Sequence, residues 1–249
     1  MLLENQVALV TGASRGIGQA IARQLAGQGA KVAINYFRSE HKAQRVKELI
    51  QEGGGTAEMF QADVTDAEQV RHMVTAVENM LGPIDVLVTN AAIGFKTIPF
   101  MQHEWADFER KLTDELCATF FPCKAVLPGM LERQRGSIIA VSSALSRRAS
   151  PGFVAHSTAK AALDSFVRSL ATELGPSGVR VNVVGPGLTL TDATAALPQQ
   201  HKDAMAALAP LRRNGLPRDV AGVVVFLASD LATFVTGSYL PVDGGFTML

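Results

Sequence analysis

Cysteine is scarce in this chain: Cys117 and Cys123 are the only two among 249 residues. They fit a reducing compartment, and no Cys/His spacing resembles a metal-ligand set. Six positions apart on an expected helix, they point to different faces and read as two small buried hydrophobes. Excess charge of one sign is absent too, since 23 Lys plus Arg stand against 23 Asp plus Glu. A phosphate-backbone binder needs a basic excess on one face, and here the two signs are interspersed, so nucleic acid is not an expected partner. No apolar run reaches the roughly eighteen residues of a membrane span. The opening Met1-Leu2-Leu3-Glu4-Asn5-Gln6 lacks the basic and long apolar regions of a signal peptide, and the expected location is the cytoplasm with no membrane partner. Disorder is also excluded, because 47% of the residues are hydrophobic and only 18% charged.

Short β-branched runs alternate with longer helical patterns from end to end. Strands are expected at 6–11, 31–36, 56–61, 84–89, 136–142, 179–184 and 238–242, and helices at 16–28, 40–52, 66–80, 107–131, 152–174 and 219–229. Val7-Ala8-Leu9-Val10 and Ile138-Ile139-Ala140-Val141 are apolar at successive positions, as strands covered on both faces require. Strand and helix in strict alternation imply right-handed crossovers and an α/β fold, a doubly wound parallel sheet. No linker, repeat or boundary divides residues 1–249, which read as a single domain. The segment 188–210 follows a Gly-Pro-Gly turn and reads as a mobile substrate lid.

Thr11-Gly12-Ala13-Ser14-Arg15-Gly16-Ile17-Gly18 leaves the first strand and enters the first helix. Glycines there let backbone N–H groups approach a pyrophosphate, and the helix N-terminus adds partial positive charge. Gly12 to Gly16 also spells Gly-x-Ser-x-Gly, the nucleophile elbow of serine hydrolases. An elbow needs an oxyanion loop from an earlier strand, and no strand precedes this one. The tip of strand two reads Asn35-Tyr36-Phe37-Arg38-Ser39 with no acid until Glu40. An acid there would accept from a ribose 2′-hydroxyl and repel a 2′-phosphate, whereas Arg15 and Arg38 could flank that phosphate, so NADP is preferred over NAD. Two solvated arginines are the plain alternative. Asp63, beside Val64, is placed either to accept from an adenine amino group or to cap the following helix.

These residues, with Asn90-Ala91-Ala92, Ser142-Ser143, the segment carrying Lys160, Pro186-Gly187 with Thr191, and Val242-Asp243-Gly244-Gly245, give the chain its resemblance to the short-chain dehydrogenase/reductase family, single-domain type. The likeness covers almost the whole length. It implies a Rossmann-type sheet in the order 3-2-1-4-5-6-7, hydride transfer between a nicotinamide and a carbonyl or alcohol substrate of 3-oxoacyl or small-ketone type, and a homotetramer or homodimer. It further implies that Gly12, Ser14, Arg15, Gly16, Ile17, Gly18, Arg38, Asp63, Val64, Asn90, Lys160, Pro186, Gly187 and Thr191 contact the cofactor, with Asn90 bracing the central strand.

The family's catalytic pattern is a Ser, a Tyr thirteen residues on, a Lys four further, and an Asn in the helix before strand five. Ser143 and Lys160 match it, but position 156 is His, and counting back from residues 124–128 puts Glu115 at the Asn position. His156 and Lys160, at i and i+4, share a helix face. An imidazole is a competent acid or base near neutrality, and a neighbouring ammonium pushes it toward its neutral form. A Glu115 carboxylate facing either residue would offset that ammonium, and Glu115, His156 and Lys160 would then form a proton relay. A subunit that binds nucleotide but is catalytically silent is the alternative. A Ser143/His156 hydrolase dyad lacks an oxyanion loop. Arg147 and Arg148 either meet an anionic substrate or form a solvated loop tip, and Phe95, Ile98, Phe100, Trp105 and residues 188–197 would form an apolar wall.

Overall fold

The structure is a computed structural model in which residues 1–248 are described; Leu249, the end of the apolar C-terminal segment, lies outside the described residues. Seven strands, β1 (Val7–Val10), β2 (Lys31–Tyr36), β3 (Thr56–Gln61), β4 (Ile84–Thr89), β5 (Gly136–Val141), β6 (Val179–Pro186) and β7 (Tyr239–Val242), form one sheet in the order β3-β2-β1-β4-β5-β6-β7. Every neighbouring pair is parallel. The helices are α1 (Gly16–Gly27), α2 (Glu40–Glu52), α3 (Ala67–Leu81), α4 (Trp105–Glu132), α5 (Val154–Leu174), α6 (Gln199–Leu208) and α7 (Pro217–Ala228). Boundaries follow the sequence expectation to within a few residues.

The strands are apolar throughout because helices cover both faces, and successive side chains serve opposite layers. Ala8, Val10, Val86, Val88 and Ile139 pack toward α1, α2 and α7, meeting Ile21, Leu25, Val46 and Val224. Leu9, Leu87, Ile138 and Ala140 pack toward α3, α4 and α5, meeting Val74, Val126, Leu163 and Val167. α4 runs through Pro122 and Pro128, where propensity alone would end it. Its buried stripe, Lys111, Glu115, Ala118, Thr119, Cys123, Val126 and Met130, holds it on the sheet past both prolines. Cys123 lies in that stripe, but Cys117 is only partly buried, which corrects the expectation of two buried cysteines. In segment 188–210 a short turn at Asp192–Thr194 precedes α6, and Lys42 of α2 reaches across to Asp192 at 3.0 Å.

The strand order reverses between β1 and β4, so the loops after them diverge and leave a crevice at the carboxyl ends of the strands. At the far side of that crevice Tyr239 of β7 donates from its Oη to the Ser143 carbonyl at 3.0 Å. Gly185 of β6 makes room for the ring, since a Cβ there would lie 2.0 Å from the Tyr239 Oη. Gly185→Ala is therefore expected to displace Tyr239 and lower stability by about 1–3 kcal/mol, read by urea denaturation. A variant as stable as the wild type would mean that the ring turns aside without loss.

Candidate active site

The glycine loop is shaped by backbone requirements first. Gly12 and Gly16 adopt φ values of 61° and 57°, in the left-handed region that favours glycine. A Cβ on Gly12 would lie 2.7 Å from the Ala91 Cα, and one on Gly16 would reach the Thr191 Cγ2 at 3.5 Å. Asn90 donates from Nδ2 to the Thr11 and Gly12 carbonyls at 3.0 and 3.2 Å, while the Thr11 Oγ1 accepts from the N–H groups of Asn90 and Ala91. Asn35 completes the clamp, accepting from the Gly12 N–H at 3.1 Å and donating to the Ala62 carbonyl at 3.1 Å. Sequence reading missed that role, although one amide in the buried run Val32-Ala33-Ile34-Asn35 was a usable signal.

Arg15 and Arg38 are exposed at the two sides of this loop, and neither guanidinium pairs with a carboxylate among the described residues. Arg38 rests over the Phe37 ring at 4.8 Å. Of the two readings of Asp63, the helix cap falls away. Asp66 caps α3 by accepting from the Glu68 and Gln69 N–H groups, and Asp63 instead accepts from the Thr65 N–H and hydroxyl. Pro186 ends β6, and the Gly187 N–H donates to the Val242 carbonyl at 3.1 Å. Ser14 and Ile17 lie half-buried in the loop and at the start of α1, Gly18 is buried, and Val64 is buried beside Asp63.

Ser143 follows β5, with its Oγ accepting from the Leu145 N–H at 3.2 Å. Lys160, one turn beyond His156 on α5, donates to the Val141 carbonyl at 2.7 Å and pairs with the Glu115 Oε1 at 2.6 Å. The other Glu115 oxygen is held by Lys111, which also donates to the Ile93 carbonyl at 2.9 Å. Lys111, Glu115 and Lys160 are only 3%, 3% and 8% exposed. Sequence reading missed Lys111, whose signal was its i,i+4 spacing to Glu115.

Of the two placements expected for Glu115, against Lys160 or against His156, the structure shows the first, and no direct hydrogen bond joins Glu115 to His156. Glu115 is taken by two ammonium groups, and the imidazole instead stacks on Phe95, with centroids 4.4 Å apart and planes at 23°. Its Nδ1 is buried without a hydrogen-bond partner. Burial, then the Lys160 and Lys111 ammonium groups, push the His156 pKa down to about 4, with Glu115 offsetting only part of this. Burial alone would raise the Glu115 carboxyl, but Lys160 and Lys111 outweigh it and hold it below its usual range. For Lys111 burial prevails over Glu115 and lowers the ammonium pKa.

Several expected substrate contacts are spent inside the chain. Arg147 lies over the Tyr239 ring and its Nε stands 3.4 Å from Asp164 Oδ2, an ion pair without hydrogen-bond alignment. Arg148 covers the Phe246 ring at 4.0 Å and donates to its carbonyl, so the tail as far as Thr247 folds onto its own chain. Of the apolar wall, Phe95 belongs to the site, whereas Phe100 and Trp105 are largely exposed. A cavity of about 770 Å³ opens between Gly16, Arg23, Thr191, Lys202 and Arg218, but Ser143, His156 and Lys160 do not line it. No group of three His, Cys, Asp or Glu able to hold a metal occurs among the described residues, and no helix there is long and apolar enough to cross a membrane.

A doubly wound parallel sheet with a glycine loop at its switch point defines the dinucleotide-binding class. Residues 12–247 match the family model described as enoyl-(acyl carrier protein) reductase. The chain is 40% identical over 243 residues to the 3-oxoacyl-[acyl-carrier-protein] reductase FabG of Staphylococcus aureus, covering 97% of this chain and 98% of that one. It is 39% identical over 251 residues to the FabG of Vibrio cholerae, covering both chains fully. Among solved structures, a metagenomic blue fluorescent protein in complex with NADPH superposes with a TM-score of 0.91 at 37% identity. A short-chain dehydrogenase/reductase mutant of Serratia marcescens does so at 0.93 and 30%, and in both cases the match spans both chains fully. The chain belongs to the short-chain dehydrogenase/reductase family.

The depressed His156 pKa has a thermodynamic signature. An unfolded histidine near its usual 6.5 binds a proton more tightly than the folded one at about 4, so the protonated state favours unfolding. This penalty is absent above pH 6.5 and grows as the pH falls toward 4, reaching roughly 2–3 kcal/mol. Compared by urea denaturation at pH 7.5 and 4.5, the wild type is expected to lose about that much more stability than His156→Gln. Equal losses would place the imidazole in a solvated site.

Proposed function

We propose that this chain is an NADP-dependent oxidoreductase that exchanges hydride with a carbonyl or alcohol carbon, and that its substrate is of the 3-oxoacyl type carried by the relatives' names. The observation that supports the reading is a glycine loop held in the left-handed conformation at the point where the strand order reverses, with Ser143 following β5 and Lys160 of α5 bonded to the Val141 carbonyl at the end of that strand. A catalytically silent subunit is not favoured, because relatives at about 40% identity over nearly the full length are named as reductases.

The residues present fit the cofactor. The cavity of about 770 Å³ that Gly16 lines at the N-terminus of α1 offers space for a pyrophosphate. Arg15 and Arg38, unpaired with any carboxylate among the described residues, suit the 2′-phosphate that distinguishes NADP from NAD. Ser14, Ile17, Asp63, Val64, Asn90, Pro186, Gly187 and Thr191 complete the proposed binding set. When bound, NADPH supplies the hydride.

Lys160 spends two of its three N–H groups on Glu115 and Val141, leaving one for a ribose hydroxyl. Ser143 accepts from Leu145 and keeps its own O–H to donate to the substrate oxygen. Proton delivery falls to His156, and with a pKa of about 4 only about one imidazole in a thousand is protonated at pH 7. The neutral ring polarises the substrate oxygen poorly and passes a proton chiefly when an imidazolium has formed. We read segment 188–210 as the substrate lid of a single-domain chain. The exposed Phe120 of α4, beside Phe166 of α5, supports association into a homodimer or homotetramer.

The test follows NADPH absorbance with a 3-oxoacyl thioester. Carbonyl reduction is expected to speed up as the pH falls from 8 to 6, approaching about tenfold per unit where imidazolium is limiting. His156→Tyr should flatten that profile, and Lys160→Ala should weaken NADPH binding. Full activity in His156→Ala would remove the proton-transfer assignment.

A further inference from the structure

Lys111 is a buried cation that the proposed chemistry does not use, and taking an ammonium out of water costs several kcal/mol unless a partner repays it. Its partner is Glu115, the carboxylate that also holds Lys160. The Lys111 ammonium further lies 5.3 Å from the centroid of the Phe95 ring, the ring on which His156 stacks. The buried cluster thus contains two ammonium groups and one carboxylate, a net charge of one. Without Lys111 that charge would be zero, and Glu115 would act on Lys160 and His156 unopposed.

We propose that Lys111 and Glu115 work as one positioning unit, in which Lys111 offsets the Glu115 carboxylate so that Lys160 keeps an effective positive charge toward the cofactor ribose and His156 stays uncharged. What Lys160 and His156 do there rests on the reading given above, but the electrostatic linkage does not. The charged groups facing His156 are Lys160 from its own helix and Lys111 and Glu115 from α4. Asp114 adds a negative field at Lys111. The adjoining loop contributes the uncharged Phe95, and its Lys96 is paired at the surface with Asp107.

The unit makes single removals opposite in sign and joint removal neutral. The imidazole signal of His156, assigned among the five histidines by its loss in His156→Gln, reports this by NMR titration of the intact protein. In the wild type the ring should stay neutral down to about pH 5. Lys111→Met should raise its midpoint by about one unit or more, Glu115→Gln should keep it neutral to still lower pH, and the double variant should return to within about half a unit of the wild type. NADPH affinity, read by nucleotide fluorescence, should fall about tenfold in Lys111→Met and recover in the double variant. An unchanged His156 titration in a folded Lys111→Met protein would overturn the proposal. So would additive, uncompensated losses in the double variant. Should Lys111→Met not fold, Lys111→Arg and Glu115→Gln carry the test: the first must titrate like the wild type, and any rise in the second refutes the linkage. A wild type that never oxidises NADPH with any carbonyl would sink the functional reading while leaving this titration to stand or fall separately.

Discussion

The clamp between the ends of β1 and β4 is the contact on which the rest of the site rests. Thr11 accepts from two backbone N–H groups of the segment after β4, and Asn90 returns two hydrogen bonds to the carbonyls of Thr11 and Gly12. The clamp lies where the strand order reverses, so the two loops would otherwise diverge with their backbone groups unpaired. Each such bond contributes only about 1 kcal/mol net, yet an orphaned buried amide costs more than that. Losing Asn90 would therefore loosen the loop as a unit. Gly12 lies against this clamp, where a Cβ would come within 2.7 Å of the Ala91 Cα.

In the proposed catalytic set, a carboxylate and an imidazole stand where the family resemblance implies a neutral amide and a phenol, and the carboxylate is matched by Lys111, four residues earlier on α4. The two ammonium groups keep the glutamate ionised although it is buried. The same two groups, with burial, keep the histidine neutral. One cluster therefore biases both groups, the carboxyl toward its ionised form and the imidazole toward its neutral one.

The links from fold to chemistry are short. Gly185 admits the Tyr239 ring, Tyr239 holds the carbonyl of Ser143, and Arg147 covers the other side of that ring. Arg147 thus packs on the ring that holds the serine carbonyl, while Arg148 packs on Phe246. Arg15 and Arg38 differ, being exposed without a paired acid among the described residues.

Period and composition sufficed for the seven strands, the glycine loop and every helix but α6, which falls in the segment read as a lid. Apolar runs such as Ile138-Ile139-Ala140 can be stable only between two helical layers, and glycines between a strand and a helix have few other uses. Ser143, His156 and Lys160 were singled out through the family resemblance and stand as the proposed catalytic set. Which charge met which was decided only by packing. Glu115 lies on α4, and its pairing with Lys160 rather than His156 depends on how α4 crosses α5, on Lys111 beneath it, and on Phe95 occupying the imidazole's face. Spacing along one helix is a local quantity, whereas an ion pair between helices is fixed by the core that holds them together.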